Sequence, residues 1–429
     1  MISSRIRGLL PRTAAVTAIG NSAIFGLNGI AGLIVARGLG PTDRGTLAIA
    51  MAWYTIACAL GELGTTPAVT YFTARFPADI PQILAGARRL FLALGVFTAV
   101  VLAGWALFAS HDSQSLLLAA LILAALTPVT FQAAVPLFAL LAINPGDWNR
   151  SRAVQPLTYL LVVAGLWAAG QLTIGLAVVA VVLSTAATIL PSYWWLHRRV
   201  DVSGPTDPED ARGYSRSILR YGLRSFPSTI PGAFAGRIDV LILAGLLTQA
   251  DVGEYAVAMT LAAMAMPPAT AIPLLVLPRM AAQGNTSNRR EHARTSLIAS
   301  FVIAVVFAAL VAALAPWLTS VILGPAYGSV AQLTMILTIA VPAGAVSLSA
   351  RNIVRGVNRP ELATVPEWAT LAFSIALILL LVPMFGLVGA AYASVTAAWA
   401  SAAIYLLAVR RALRRPASHS SNGPAAGER

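Results

Sequence analysis

The sequence predicts an all-α, polytopic membrane protein: about twelve transmembrane helices in two parallel six-helix lobes around a central cavity. Three observations predict it. Of 429 residues, 58% are hydrophobic and 10% charged, with a mean hydropathy of +0.78, whereas soluble domains carry roughly 25% charged residues. Apolar runs long enough to cross a bilayer recur along the whole chain. The second half repeats features of the first at a spacing of roughly 208 residues.

Arg5, Arg7 and Arg12 precede the first apolar run, as in a signal peptide. That run, Ala14–Ala36, is too long for a signal-peptide core and no cleavage site follows it, so it is read as a retained first helix. Windows of about 20 apolar residues give five more spans, Thr46–Thr73, Leu90–Ser110, Leu116–Ile143, Val154–Gly170 and Leu172–His197. Residues 1–197 are the expected first lobe. A polar cytoplasmic linker, 198–220, contains SGPTDPEDARG and divides the chain. The second lobe, 221–409, holds Tyr221–Leu247, Tyr255–Pro278, Thr295–Leu323, Ala331–Ser349, Leu362–Pro383 and Leu387–Val409. Pro267, Pro268, Pro273 and Pro278 predict a bent eighth span, read either as a gate or as kinked packing. The tail, 410–429, is Arg-rich and then Ser/Gly/Ala-rich, and is expected to be disordered and cytoplasmic.

The formal charge of +13 comes entirely from arginine, with no lysine. With the N-terminus inside and the spans alternating, the inner segments collect Arg75, Arg88, Arg89, Arg150, Arg152, Arg198, Arg199, Arg212, Arg216, Arg220, Arg279, Arg289, Arg290, Arg294, Arg351, Arg355 and Arg359. The outer ones hold only Arg37 and Arg44. This is the positive-inside pattern, which places both termini in the cytoplasm and makes the basic balance a topology signal rather than a nucleic-acid one. Tyr193, Trp194 and Trp195, before His197, Arg198 and Arg199, fit an interfacial aromatic belt. The single cysteine, Cys58, permits no internal disulfide.

The repeat is carried by Asp43–Met51 against Asp251–Met259, by Asn149, Arg150 and Pro156 against Asn358, Arg359 and Pro366, and by Gly175-Leu176 against Gly386-Leu387. Six spans per repeat is an even number, so both halves enter the membrane in the same sense. Parallel repeats of this kind place a substrate path at the lobe interface, with access alternating as one lobe rocks on the other.

Several short motifs resemble a known family: Ala36-Arg37-Gly38-Leu39-Gly40-Pro41 with Gly45, Arg237-Ile238-Asp239, Val252-Gly253-Glu254-Tyr255, Leu323-Gly324-Pro325-Ala326-Tyr327 and Gly386-Leu387-Val388-Gly389-Ala390-Ala391. In order and spacing, over about residues 14–410, the chain resembles the bacterial polysaccharide and oligosaccharide flippases of the multidrug/oligosaccharidyl-lipid/polysaccharide exporter superfamily. The resemblance implies two six-helix lobes in the bacterial plasma membrane and transport, without catalysis, of a polyprenyl-pyrophosphate-linked glycan from the inner to the outer leaflet. Membrane lipids are then its surroundings, and a glycan polymerase and glycosyltransferases its expected partners. No cofactor is implied, only coupling to a Na+ or H+ gradient. Lipid II flippases of the same superfamily usually have two further C-terminal helices, which this sequence lacks.

Such a cargo calls for cations to meet the pyrophosphate, amides or hydroxyls for the sugars, and an apolar side opening. Arg237 and Asp239 open an otherwise apolar run, where a charge costs at least ~2.5 kcal/mol unless it faces protein or water. They are read as substrate residues or as members of an interlobe network, with Asp239 also a coupling candidate. Their repeat equivalents, Gly29 and Ala31, are uncharged, so any ligand role is asymmetric. Arg224, Ser228 and Asp239 share a face if the seventh helix is regular, but Pro227 and Pro231 predict a kink. Thr17, Asn21 and Asn28 form a polar stripe on the first helix, lining the cavity or gluing helices. Glu62, within the second span, is a coupling candidate or a paired carboxylate. Arg351 and Arg355 read as a headgroup anchor.

Two rivals remain. A drug/cation antiporter of the same superfamily should favour carboxylates in its cavity. A membrane-embedded glycan polymerase needs a substantial outer loop, and no such loop is found between the spans. A major facilitator is disfavoured because Arg75-Phe76-Pro77-Ala78-Asp79 does not match that family's motif.

Overall fold

The computed structural model describes residues 2–109, 113–200, 207–270, 286–356 and 361–414. The expectations for Pro273, Pro278, Arg359, residues 415–429 and the side chains of Thr17, Ser228 and Arg355 lie outside the described residues. Among the described residues all regular structure is helical, as a bilayer requires, because a helix satisfies its own backbone hydrogen bonds.

The first lobe is built from α1 (Ile2–Gly61), α2 (Thr66–Arg75), α3 (Ile80–Ala109), α4 (Gln114–Ile143), α5 (Pro145–Ala168), α6 (Ile174–Ala186) and α7 (Ile189–His197). After it come α8 (Pro208–Phe234), α9 (Ile238–Leu246), α10 (Gln249–Ala263), α11 (Thr286–Leu318), a π turn (Thr319–Leu323), α12 (Val330–Thr338), α13 (Ala340–Gly356) and α14 (Glu361–Arg414).

Helix α1 has 60 residues, about 90 Å if straight against a hydrocarbon core of about 30 Å. It bends at Gly40, whose φ of +76° suits a residue without Cβ. Helix α14 bends likewise at Gly386, with φ +57°. Among the described residues, seven stretches are long and apolar enough to cross a membrane. The two longest, Gly20–Gly61 and Val365–Leu413, contain these bends and at helical rise are each long enough for two crossings. Helix α5, the α8–α9 pair and α10 complete twelve crossings in two lobes. α5 is less apolar because it opens with Asp147, Asn149, Arg150, Arg152 and Gln155.

Two expectations need correction. The second span is not one helix. It breaks at Glu62–Thr65, where Leu63 (φ +49°) and Gly64 (φ +68°) take left-handed backbone. The seventh span keeps Pro227 and Pro231 inside α8 and breaks instead at Ala235–Arg237, where Gly236 has φ +69°. Arg224 and Asp239 therefore do not share the face of one regular helix. Within the polar linker, residues 208–220 are helical. Asp207 accepts the Glu209 backbone N–H at 2.8 Å, Pro208 occupies the first turn, and Glu209 and Asp210 complement the helix dipole.

Helix α8 also packs mainly on the first lobe, with a smaller contact to α14. Ile218 is buried in the first lobe's core beside Tyr214, and the Tyr214 hydroxyl donates to Asp79 at 2.6 Å. Burial, together with that carboxylate, pushes the Tyr214 phenol up to about 12.

The lobes meet where α1 crosses α10. A Cβ on Gly45 would strike the Gln249 carbonyl oxygen, and one on Gly253 would strike the Pro41 carbonyl oxygen. Pro41 and Gln249, like Gly45 and Gly253, are 208 positions apart, so the contact is reciprocal, as a pseudo-two-fold axis demands. Small residues allow this backbone approach between membrane helices. Gly45→Val should therefore lower thermal stability in detergent by about 1–3 kcal/mol through overpacking. Gly165→Ala, inside α5 with nothing within 4 Å of its Cβ, should not lower the melting temperature.

Candidate functional site

A cavity of about 900 Å³ lies between the lobes. Both halves of α1, together with α4, α5 and α6, form one wall, and the α8–α9 junction with α10 forms the other. Along the second half of α1 it runs from Arg44 to Glu62, about 27 Å at helical rise, close to the depth of a bilayer core.

Among the described residues, three arginines line it. Arg237 stands at the α8–α9 break, and its guanidinium donates to the Gly236 carbonyl at 2.9 Å. Arg152, in the first turns of α5, donates to Asn21 Oδ1 at 3.2 Å and lies 4.3 Å over the Trp148 ring, a cation–π contact. Arg44 follows the Gly40 bend, and its Nε is buried without a hydrogen-bond partner among the described residues. None of the three is in an ion pair among the described residues, whose pairs are Asp147 with Arg150 and Arg199, and Arg351 with Glu367.

Two carboxylates line the same space. Asp239 is 6% exposed. Its Oδ1 accepts the Val240 N–H at 2.9 Å and its Oδ2 accepts the Tyr255 hydroxyl at 3.1 Å. Tyr255 also meets Ser394 at 2.8 Å. The network thus joins α9, α10 and α14 within the second lobe and is not interlobe. Glu62 sits at the break in the second span and accepts the Thr66 hydroxyl at the start of α2, where the helix dipole favours a negative charge. Non-helical backbone at this depth is tolerated where it lines a cavity.

The structure sorts the sequence candidates. Asn28, Glu62, Arg237 and Asp239 line the cavity. Asn21 supports it by holding Arg152. Arg224 is exposed on α8 and lines a separate groove. Arg351 pairs with Glu367 at 3.7 Å. Arg44 and Arg152 were not singled out by sequence. Both looked like topology charges at span ends, and the only local signal was the repeat motif Asp43-Arg44-Gly45 itself.

The arginine-poor end of the cavity is closed, and the short motifs close it. Besides the Gly45–Gly253 crossing, Thr46 donates to Gln249 Oε1 at 3.0 Å. Tyr327 donates to the Ala36 carbonyl at 2.6 Å. Arg37 donates to the Val321 and Ile322 carbonyls, which belong to the π turn. Glu254 holds the Ser329 N–H at 3.0 Å and its hydroxyl. Gly324, with φ +81°, turns the chain so that Tyr327 can reach back.

Tyr255→Phe removes the hydroxyl shared by Asp239 and Ser394. Thermal unfolding in detergent should report a loss of about 1–3 kcal/mol, and Asp239→Asn should also destabilise, because its one amide oxygen cannot accept from both the Val240 N–H and the Tyr255 hydroxyl.

The family model described as "Polysaccharide biosynthesis protein" matches residues 10–283 and 272–425. No curated protein matches the sequence. Among solved structures, the chain is similar to an inward-facing multidrug resistance MATE family transporter of the MOP superfamily, at 16% identity and a TM-score of 0.76, covering 93% of this chain and 98% of that one. An outward-facing MATE structure gives 18% identity and 0.67, covering 94% and 95%. A MOP superfamily transporter from Pyrococcus furiosus, described as having a binding pocket of reverse polarity, gives 18% and 0.66, covering 95% and 96%. The chain belongs to the polysaccharide biosynthesis protein family and has the fold of the MOP superfamily transporters.

Proposed function

We propose that the protein is a flippase that carries a polyprenyl-pyrophosphate-linked oligosaccharide or polysaccharide repeat unit from the inner to the outer leaflet by alternating access. The observation that carries this reading is the placement of Arg44, Arg152 and Arg237 around one cavity without carboxylate pairing among the described residues. Guanidinium forks suit phosphate oxygens. Spaced along the depth of the cavity, three of them offer a migrating pyrophosphate successive partners. Asn28, Gln155 and Thr260 add amide and hydroxyl groups for sugars.

The arginine distribution supports a plasma-membrane orientation with both termini in the cytoplasm. The closed end then faces outward, and the cavity is poised to load from the inner leaflet. The reading is of a transporter, not an enzyme. Glycosyltransferases supply its cargo and a polymerase consumes it. Glu62 and Asp239, the carboxylates of the cavity, are the groups through which a Na+ or H+ gradient would couple. A cationic-drug antiporter fits less well, because the cavity arginines repel such a cargo.

The test is a flipping assay in liposomes that carry a polyprenyl-pyrophosphate-linked glycan in the leaflet facing the arginine-rich end. Arg44→Gln, Arg152→Gln and Arg237→Gln should each slow its appearance in the other leaflet by about 10-fold or more, the loss of one charge-assisted contact. Full flipping rates in folded variants, or faster export of an organic cation on arginine removal, would overturn the reading.

A further inference from the structure

Helix α8 carries a feature that the cavity does not absorb. One face packs on the first lobe. Ala211 and Ser215 abut Gly86, Gly222 abuts Thr65, Ile218 enters the core, and Ser225 donates to the Gly64 carbonyl at 3.3 Å. The opposite face carries Arg212, Arg216, Arg220 and Arg224 at four-residue spacing, in one row. All four are exposed, and none is in an ion pair or side-chain hydrogen bond among the described residues. Like charges at this spacing destabilise a helix, so helix stability does not explain the row. Arg216, Arg220 and Arg224, with Leu219 and Leu223 between them, line a groove of about 400 Å³.

The glycine contacts fix the depth of the row. Gly86 of α3 meets α8 at Ala211–Ser215, and Gly61, just before the Glu62 break, meets Thr98 further along α3. Gly64, just beyond that break, meets Gly222. α3 and α8 therefore rise together, which puts Arg216 near the level of Arg89. Arg220 and Arg224 then lie level with Leu92–Phe97, where Leu92, Val96 and Phe97 are exposed and apolar, as lipid-facing residues are. From Arg216 to Arg224 the row descends about 12 Å along the helix. Charges at that depth need water or a charged partner. The first lobe lies behind them, and the face they share is exposed.

We propose that Arg216, Arg220 and Arg224 form a loading site that receives the pyrophosphate headgroup at the inner leaflet and passes it along α8 toward Arg237 in the cavity. This rests on the cargo proposed above. The row supplies the positive charge, the groove leucines flank the start of the lipid chain, and the helix carrying them ends at the break where Arg237 begins the cavity wall.

The full chain in nanodiscs of neutral phosphatidylcholine, titrated with geranyl pyrophosphate on a surface plasmon resonance chip, tests it. Charges at a rim act on association and its salt dependence, whereas those in a buried site act on dissociation. The triple variant Arg216→Gln, Arg220→Gln, Arg224→Gln should associate about tenfold more slowly, with a flatter salt dependence and unchanged dissociation. Arg237→Gln should instead dissociate faster. The corresponding triple lysine variant, which keeps the charge, should associate at nearly the original rate. Should the triple glutamine variant fail to fold, Arg220→Gln alone should show a smaller slowing of the same kind. Association at the unmodified rate in a variant that still binds would overturn the loading site and leave the cargo reading standing. No binding by the unmodified protein would overturn both. Loss of phosphatidylglycerol binding with geranyl pyrophosphate association unchanged would make the row an acidic-lipid anchor and overturn the proposal.

Discussion

The backbone crossing of α1 and α10 at Gly45 and Gly253 is the contact on which the rest of the structure depends. Each glycine admits the carbonyl of the other lobe where any side chain would collide. The crossing draws the two lobes together at the arginine-poor end and leaves space between them below it. Polar contacts around it are added at little cost because both backbones are already adjacent: Thr46 to Gln249, Tyr327 to Ala36, and Arg37 to the carbonyls of the π turn. These contacts are few and mostly neutral. That suits a seal that must form and break, since a large apolar interface would hold the lobes in one arrangement.

Below the seal, the cavity combines three arginines with two carboxylates, and the carboxylates are already engaged. Asp239 is held by Val240 and Tyr255, and Glu62 by Thr66. The arginines are held by neutral partners, a backbone carbonyl for Arg237 and an amide and a ring for Arg152. Among the described residues three guanidinium groups against two carboxylates leave the cavity net positive, and a low-dielectric wall strengthens its pull on an anion. The same logic extends along α8, whose exposed row adds charge without partners among the described residues.

Much of the architecture was legible because lipid leaves few choices: long apolar runs must be helices, and arginine asymmetry orients them. Arg237 and Asp239 were legible for the related reason that a charge inside an apolar run is costly. The 208-residue repeat located Gly45 and Gly253, although not that they touch. Arg44 and Arg152 were not legible, because an arginine near a span end looks the same whether it anchors to headgroups or turns into a cavity. Only the Gly40 bend and the packing of α5 decide between these. The break at Gly236 was misassigned to nearby prolines. Pro227 and Pro231 are accommodated within α8, while a left-handed glycine interrupts it. The linker was read only as polar, since Pro208, Glu209 and Asp210 look alike in a loop and in a capped first turn.

The central claim is that the end closed by Gly45 and Gly253 must open for cargo to leave. Thr46 and Gln249, hydrogen-bonded across it at 3.0 Å, allow the most direct measurement. With both replaced by cysteine, glycan flipping in liposomes is followed before oxidation, after oxidation and after reduction. The account predicts that the cross-link stops flipping and that reduction restores it. Undiminished flipping by the cross-linked protein would contradict it.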